Sequence, residues 1–223
     1  MKIFNGLADS YDEVLDYCTL LQDRRWKDWV VRSAALPEAA KVLDVGCGTC
    51  VLEQRLRPSL SLVGIDLTEE MLRRAQAKRL PNVGSLLRSD AENLPFNDCS
   101  FDAVLSCYVA KYCDTRAFVS EAARVLKRGG RLVMYDFVRP RGHLWPMNAV
   151  YAYGGLRIAG KLLMMSHAKN SFTFKALPGV IAERPWEIGF GGLLKRHGFS
   201  EVTERLLPGG TAMGFCASRS AAR

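Results

Sequence analysis

The residues most able to do chemistry begin at Val42-Leu43-Asp44-Val45-Gly46-Cys47-Gly48-Thr49, an apolar run that ends in a glycine-rich turn. Asp66 closes the next apolar run, 20 residues after Gly46. Glycine lets a backbone approach a ligand where any Cβ would collide. An acid at the tip of the following strand can accept hydrogen bonds from the two hydroxyls of a ribose. A third run is followed by Asp90-Ala91-Glu92-Asn93-Leu94-Pro95-Phe96. Asp90 can accept from an exocyclic amine there, while Leu67, Met71 and Phe96 sandwich a flat ring. A dinucleotide fingerprint would place a third glycine at position 51, beside a pyrophosphate; the residue is Val51. A phosphate-free nucleoside such as S-adenosylmethionine fits better, with backbone groups of Gly46 and Gly48 and the Asp44 carboxylate meeting its amino-acid end. Each acid also has a local role open to it: Asp44 and Asp66 as caps, Asp90 as a turn former. Three in register favour the cofactor.

These residues need strands to carry them. Short β-rich runs alternate with helical stretches: strands at Lys41–Val45, Leu60–Asp66, Val83–Arg88, Phe101–Ser106 and Arg131–Phe137. The intervening helices are expected at Val51–Arg57, at Glu69–Arg79 with Thr68 as N-cap, and at Arg116–Leu126. Such alternation implies right-handed crossovers and a parallel sheet buried on both faces. A helix over Gly192–His197 and two runs, Val202–Leu207 and Thr211–Ala217, around Pro208-Gly209-Gly210 read as a closing helix and hairpin. The expected architecture is a doubly wound α/β fold with a mostly parallel sheet and an antiparallel end. One domain spans residues 1–223: an N-terminal arm (1–38), a cofactor-binding core (40–138), a helical cap insert (142–182) and a closing segment (192–217).

The chain has 223 residues, 48% of them hydrophobic, enough for one large core. No apolar stretch is long enough to cross a membrane or to serve as a signal peptide. Seven scattered cysteines suit a reducing cytoplasm. Cys47 and Cys50 form a lone C-x-x-C, open to a redox or zinc reading; inside a glycine turn, with no second pair, it is taken as an ordinary part of the turn, and no metal is expected. The net charge of +8 is uneven: 20 cations face 19 acids up to residue 140, and 11 face 4 beyond it. That excess is either surface solubility or a face toward something anionic.

VLDVGCGT, VGIDLTEEML, SDAENLPFNDCSFDAVLS and EAARVLKRGGRLVMYDF resemble the successive motifs of class I S-adenosylmethionine-dependent methyltransferases over roughly residues 40–138. That resemblance implies a seven-stranded sheet with an antiparallel end. The flanks narrow it. Phe4 to Asp12, Asp23-Arg24-Arg25-Trp26, Phe172 to Gly179, His197-Gly198-Phe199 and Leu207 to Ala212 are similar to the ubiquinone/menaquinone biosynthesis C-methyltransferases. The resemblance implies cofactor contacts from Thr49, Asp66, Asp90, Ala91 and Ser106. It also exposes a departure: the family commonly carries Gly-Leu-Arg-Asn after the fourth strand, where this chain has Tyr108-Val109-Ala110-Lys111. Lys111 is the candidate replacement for the arginine, although a lysine offers a point charge and not a planar fork.

A sulfonium methyl is already reactive, so the protein must mainly position it in line and remove a proton from the acceptor. Tyr11, Asp12, His143 and His167 are the candidate bases, Tyr11 and Asp12 on an arm able to close over the cofactor. The stretch from His143 to Ala168, rich in aromatics and methionines with Arg157 and Lys161 four apart, is expected to receive a lipophilic aromatic or lipid substrate at a membrane surface. Its alternative is packing on the chain's own core or on a second subunit of a homodimer. The leading expectation is a cytoplasmic, membrane-associated C-methyltransferase of a demethylmenaquinol-like ring. A phospholipid-amine or other small-metabolite methyltransferase and a non-catalytic cofactor-binding protein are the alternatives. Nucleic acid is disfavoured, since Cys107-Tyr108-Val109-Ala110 is not the Asn/Asp-Pro-Pro-Tyr often found in enzymes that methylate base amines.

Overall fold

The computed structural model describes residues 11–139 and 185–221. The expectations for residues 1–10 and for the cap at 142–182, including His143 and His167, lie outside the described residues. Two helices lead the chain, α1 (Tyr11–Cys18) and α2 (Gln22–Ala34). Then come β1 (Lys41–Val45), β2 (Ser61–Asp66), α3 (Glu69–Ala77), β3 (Val83–Arg88), β4 (Phe101–Cys107), α4 (Thr115–Val125) and β5 (Leu126–Phe137). Helix α5 (Phe190–Arg196) and strands β6 (Phe199–Leu206) and β7 (Ala212–Arg219) follow the cap.

The seven strands form one sheet in the order β3-β2-β1-β4-β5-β7-β6. β1 pairs in parallel with both β2 and β4, whereas β7 runs antiparallel to β5 and to β6. This is the expected architecture, antiparallel ending included. β1 is central and buried on four of its five residues, which its apolar sequence requires. Side chains alternate between the faces: Leu43, Val104, Leu132 and Met134 pack with α4 and α5, and Val42, Leu105, Val133 and Tyr135 pack against Trp26, Trp29 and Val30 of α2. The strand order reverses between β1 and β4. In such sheets the crevice at the carboxyl ends of those two strands is where ligands bind.

One expected helix is absent. In place of a helix over Val51–Arg57 there is a single 3-10 turn, Glu53–Arg55. Cys50 enters it with φ +61°, outside the helical range, and Arg57 precedes Pro58, which disfavours the α conformation. Buried Asn82 then takes over the carbonyls a longer helix would have used, donating its amide to Glu53 O at 3.2 Å, Leu56 O at 3.3 Å and Arg57 O at 3.4 Å. Other corrections are to element ends. β5 starts at Leu126, five residues early, with a register shift opposite Phe101–Ala103; β6 and α5 also begin sooner. Thr68 does occupy the N-cap of α3, but its side chain makes no cap bond.

Asn82→Ala leaves those carbonyls without a donor and is expected to destabilise the protein by about 1–3 kcal/mol. Urea denaturation measures it, and an unshifted midpoint would mean that solvent satisfies the turn.

Candidate functional site

The turn after β1 is shaped by close approach. Gly46 has φ +77° and Gly48 φ +53°, and a Cβ on Gly46 would stand 2.2 Å from Val109 Cγ2. The peptide N–H groups of Gly46 and Cys47 both donate to Ile65 O, at 2.8 and 2.9 Å, which ties the turn to the end of β2. Asp66 lies at that end. Its Oδ2 accepts from Gly48 N at 3.0 Å and its Oδ1 from Thr68 N at 2.8 Å. Each oxygen retains a second lone pair, which suits a vicinal diol. Burial raises the Asp66 pKa, and the Thr68 and Gly48 bonds oppose the shift.

Asp44 is buried, and its Oδ1 accepts no hydrogen bond from a fixed donor. A second buried carboxyl, Glu53, stands against it. Burial and then the Glu53 charge push Asp44 well above the usual carboxylate range, and burial pushes Glu53 up to about 8. A proton on the pair relieves their repulsion but leaves Asp44 Oδ1 and both Glu53 oxygens without a hydrogen-bond donor among the described residues, and a ligand ammonium can supply one at Asp44. A donor-free buried oxygen, a turn that admits no Cβ at residue 46 and a diol acceptor fit a nucleoside cofactor bearing an α-amino group.

The remaining expected contacts divide. Met71 and Ala91 are buried, while Asp90 is exposed and uses Oδ1 in a turn, accepting from Glu92 N at 3.0 Å. Leu67 is half-buried beside Asp66. Ser106 is 1% exposed and donates its hydroxyl to Val45 O at 3.0 Å, so it fixes the end of β1. Thr49 is likewise buried, its hydroxyl on Asp12 Oδ1 at 2.5 Å. Lys78 completes that group, reaching Asp12 Oδ2 at 2.8 Å and Thr49 Oγ1 at 3.3 Å. Asp12 is thus the clasp that holds α1 against the glycine turn, and its carboxylate already has two partners. Tyr11 extends over Gly48, and burial, then the Asp23 charge, hold its phenol well above its ordinary range. The neutral phenol thus lies over the glycine turn.

Lys111 is 2% exposed. Burial lowers its pKa, while attraction to Asp136 and Glu187 opposes that shift. Its peptide N–H donates to Asp136 Oδ2 at 3.0 Å, and Phe137 N donates to Oδ1 at 2.6 Å. Burial nevertheless pushes Asp136 to about 7.

The group missed in the sequence lies on the α2 side. Asp23 and Lys27, 2% and 3% exposed, form an ion pair, Lys27 Nζ to Asp23 Oδ2 at 2.5 Å. Asp23 Oδ1 accepts from Tyr108 Oη at 2.7 Å and from Tyr135 Oη at 2.8 Å. Lys27 Nζ also lies 5.6 Å from the Tyr108 ring centroid, within cation–π range. Burial holds both phenols well above their ordinary range, so they remain donors. Tyr108 has φ +64°, a strained conformation for a residue with a Cβ, and its ring meets Tyr135 and Phe137 at centroid distances of 5.0 and 4.8 Å. Strand β4 therefore ends in an aromatic wall backed by a satisfied buried ion pair. The signal for it was two charges, Asp23 and Lys27, on the same helical stripe as Trp26, Val30 and Ala34.

Comparison with known proteins agrees with this geometry. The sequence profile of the ubiE/COQ5 methyltransferase family matches residues 1–219. The chain is 31% identical over 227 residues to a ubiquinone/menaquinone biosynthesis C-methyltransferase of Geobacter sp. strain M21, covering 97% of this chain and 94% of that one. It is 32% identical over 180 residues to a demethylmenaquinone methyltransferase of Tropheryma whipplei, covering 79% and 74%. Among solved structures, a SAM-dependent methyltransferase from Aquifex aeolicus shares the fold with a TM-score of 0.59 at 21% identity, covering 86% of this chain and 89% of that one.

Asp66→Ala is expected to weaken S-adenosylmethionine binding roughly 10- to 100-fold, about 1.5–3 kcal/mol for hydrogen bonds to a charged acceptor; calorimetry giving an unchanged affinity refutes the ribose assignment. Asp136 yields a pH prediction. Its folded pKa lies above the unfolded value, so the unfolded chain loses its proton first, and stability falls as pH rises from about 4 to about 7. Urea midpoints for Asp136→Asn, which cannot ionise, should gain on the parent protein across that window and run parallel above it. A constant gap from pH 4 to 8 would show that Asp136 does not titrate there.

Proposed function

The chain belongs to the ubiE/COQ5 methyltransferase family and is an S-adenosylmethionine-dependent methyltransferase, and on that premise we propose that its acceptor is a ring carbon of a demethylmenaquinol-like hydroquinone. The observation that carries this reading is the likeness, over nearly the whole length, to relatives named for menaquinone and ubiquinone C-methylation. S-adenosylmethionine supplies an electrophilic sulfonium methyl when bound. Asp66 would hold the ribose and Asp44 the amino-acid ammonium, with the Gly46–Gly48 backbone admitting both, and Met71, Leu67, Ala91 and Asp90 would surround the base.

A hydroquinone carbon becomes nucleophilic as the neighbouring ring hydroxyl loses its proton, so the protein needs an acceptor for that proton. Tyr108 is placed for this at the end of β4. As its oxygen takes the substrate proton, its own hydroxyl proton passes to Asp23 Oδ1, which it already faces, and the Asp23 carboxyl beside Lys27 holds it. The wall of Tyr108, Tyr135 and Phe137 offers the flat apolar surface that a naphthol ring stacks on. Lys111, enclosed with Asp136, acts as a positioning residue for the Tyr108–Lys111 loop. Tyr11 and Asp12 close over the cofactor and exclude water. The basic, apolar stretch at 142–182, His143 included, receives the lipid tail at the cytoplasmic face of a membrane; its excess of cations over acids supports this.

Mass spectrometry of products from labelled S-adenosylmethionine tests the acceptor, with demethylmenaquinol, a phospholipid amine and RNA offered in parallel. Label in the quinol ring is expected, and label only in the amine would overturn the reading. Tyr108→Phe should lower kcat on the quinol by about 100-fold with cofactor affinity unchanged. A fall of less than about threefold removes Tyr108 from the proton path.

A further inference from the structure

Beneath the glycine turn, residues 44, 47, 50 and 53 recur at every third position as Asp44, Cys47, Cys50 and Glu53. Cys47, Cys50 and Glu53 are buried, at 6%, 0% and 1% exposure. A peptide bond from Cys50 N to Cys47 O, 2.9 Å, folds the C-x-x-C back on itself. The two sulfurs and a Glu53 carboxylate oxygen consequently lie within 4.8 Å of one another.

Two further observations require a partner for this group. Among the described residues, neither Glu53 carboxylate oxygen accepts a hydrogen bond from a fixed donor, although both are buried. A carboxyl in that position is expensive unless something answers it. Cys50 is also held at φ +61°, a left-handed conformation that glycine adopts freely and cysteine does not. The surroundings leave room for sulfur: Ala75 packs on both cysteines, and β2 passes with a glycine, where a Cβ on Gly64 would stand 2.9 Å from Cys47 Sγ.

We propose that Cys47, Cys50 and Glu53 form a binding site for a zinc-type divalent cation, a function separate from methyl transfer. Tetrahedral zinc has Zn–S near 2.3 Å and Zn–O near 2.1 Å, which puts ligand atoms about 3.5–3.8 Å apart. The present spacing therefore closes on a metal with an adjustment of about 1 Å. Two thiolates select zinc, cobalt or a similar ion over magnesium or calcium. A dithiol–disulfide pair would account for the sulfurs but leave Glu53 unanswered; a metal accounts for all three. Asp44, against Glu53, serves as the outer carboxyl that orients the ligand. Thiol ligands bind such an ion as thiolates, so their protons leave to solvent as it enters.

Cobalt titration of the reduced full-length protein tests this, because thiolate-to-cobalt charge-transfer absorption appears only when sulfur binds the ion. One equivalent is expected to produce the band, zinc to abolish it, and Cys47→Ser or Cys50→Ser to reduce it by about half. The double variant should lose it. Glu53→Gln, which keeps the side-chain volume, should weaken cobalt binding at least tenfold, and it carries the test if the serine variants do not fold. Absence of the band, its persistence in the double variant, or cobalt binding unaltered in Glu53→Gln overturns the proposal. So does a protein that forms a Cys47–Cys50 disulfide yet takes up no metal after reduction. Calorimetry of S-adenosylmethionine on the same variants keeps the two sites apart: Glu53→Gln losing cofactor affinity while retaining cobalt would assign Glu53 to the cofactor site and overturn the metal.

Discussion

The carbonyl of Ile65 is the fixed point on which the cofactor crevice depends. It accepts two successive peptide N–H groups, from Gly46 and Cys47, and so fixes where the chain turns away from β1. That position is tenable only because residue 46 has no Cβ, since Val109 fills the space one would occupy. The turn is locked from both neighbouring strands, by β2 through hydrogen bonding and by the loop after β4 through packing. Asp66 completes the arrangement from the strand that provides Ile65, so that the diol acceptor and the glycine turn are set by one short length of backbone. Preorganisation here comes from strand ends and not from flexible side chains.

A second theme is how the carboxyl ends of the strands accommodate buried acids. Each acid has a different solution. Asp23 has an ammonium and two phenols, Asp66 has two peptide N–H groups, and Asp136 has two peptide N–H groups with Lys111 close by. Asp44 and Glu53 have each other. Asp23 and Asp136 are complete as folded, which marks them as parts of the frame, while Asp66 keeps a lone pair on each oxygen for a ligand. The last pair is incomplete, and incompleteness in a dry environment is where a ligand cation or metal contributes most.

Reading of the sequence went furthest where one residue type admits one physical role. Gly46 and Gly48, the apolar run of β1, and the acid ending β2 could be located in advance because close approach, two-sided burial and strand-end chemistry leave few alternatives. The antiparallel end was legible from Pro208-Gly209-Gly210 between two apolar runs. The failures share a cause. The absent helix at 51–57 depends on Asn82, some 25 residues away, whose amide holds carbonyls that local propensity would have put into a helix. The partners that Ser106 and Thr49 donate to, Val45 O and Asp12, were equally invisible to local pattern. Asp23 was legible only as part of a family-like motif, and Lys27 not at all, because the phenols that Asp23 holds, Tyr108 and Tyr135, enter the chain 85 and 112 residues after it. Pairings that cross the fold are not written in any local pattern.

The Trp26 indole N–H donates to Pro208 O at 2.8 Å, across 182 residues. Helix α2 therefore finds its final place only once a loop 182 residues further along the chain is present. Its charged pair must wait for β4 and β5, and its tryptophan for the loop between the last two strands. Until then a helix carrying Trp26, Trp29 and Val30 has no sheet to cover. Loop closure over that distance makes docking of α2 a late event in folding. Because Asp23 rides on that helix, the polar floor of the acceptor crevice assembles only after the whole sheet exists. A nascent chain can thus complete its cofactor turn well before it has anywhere to put a second substrate.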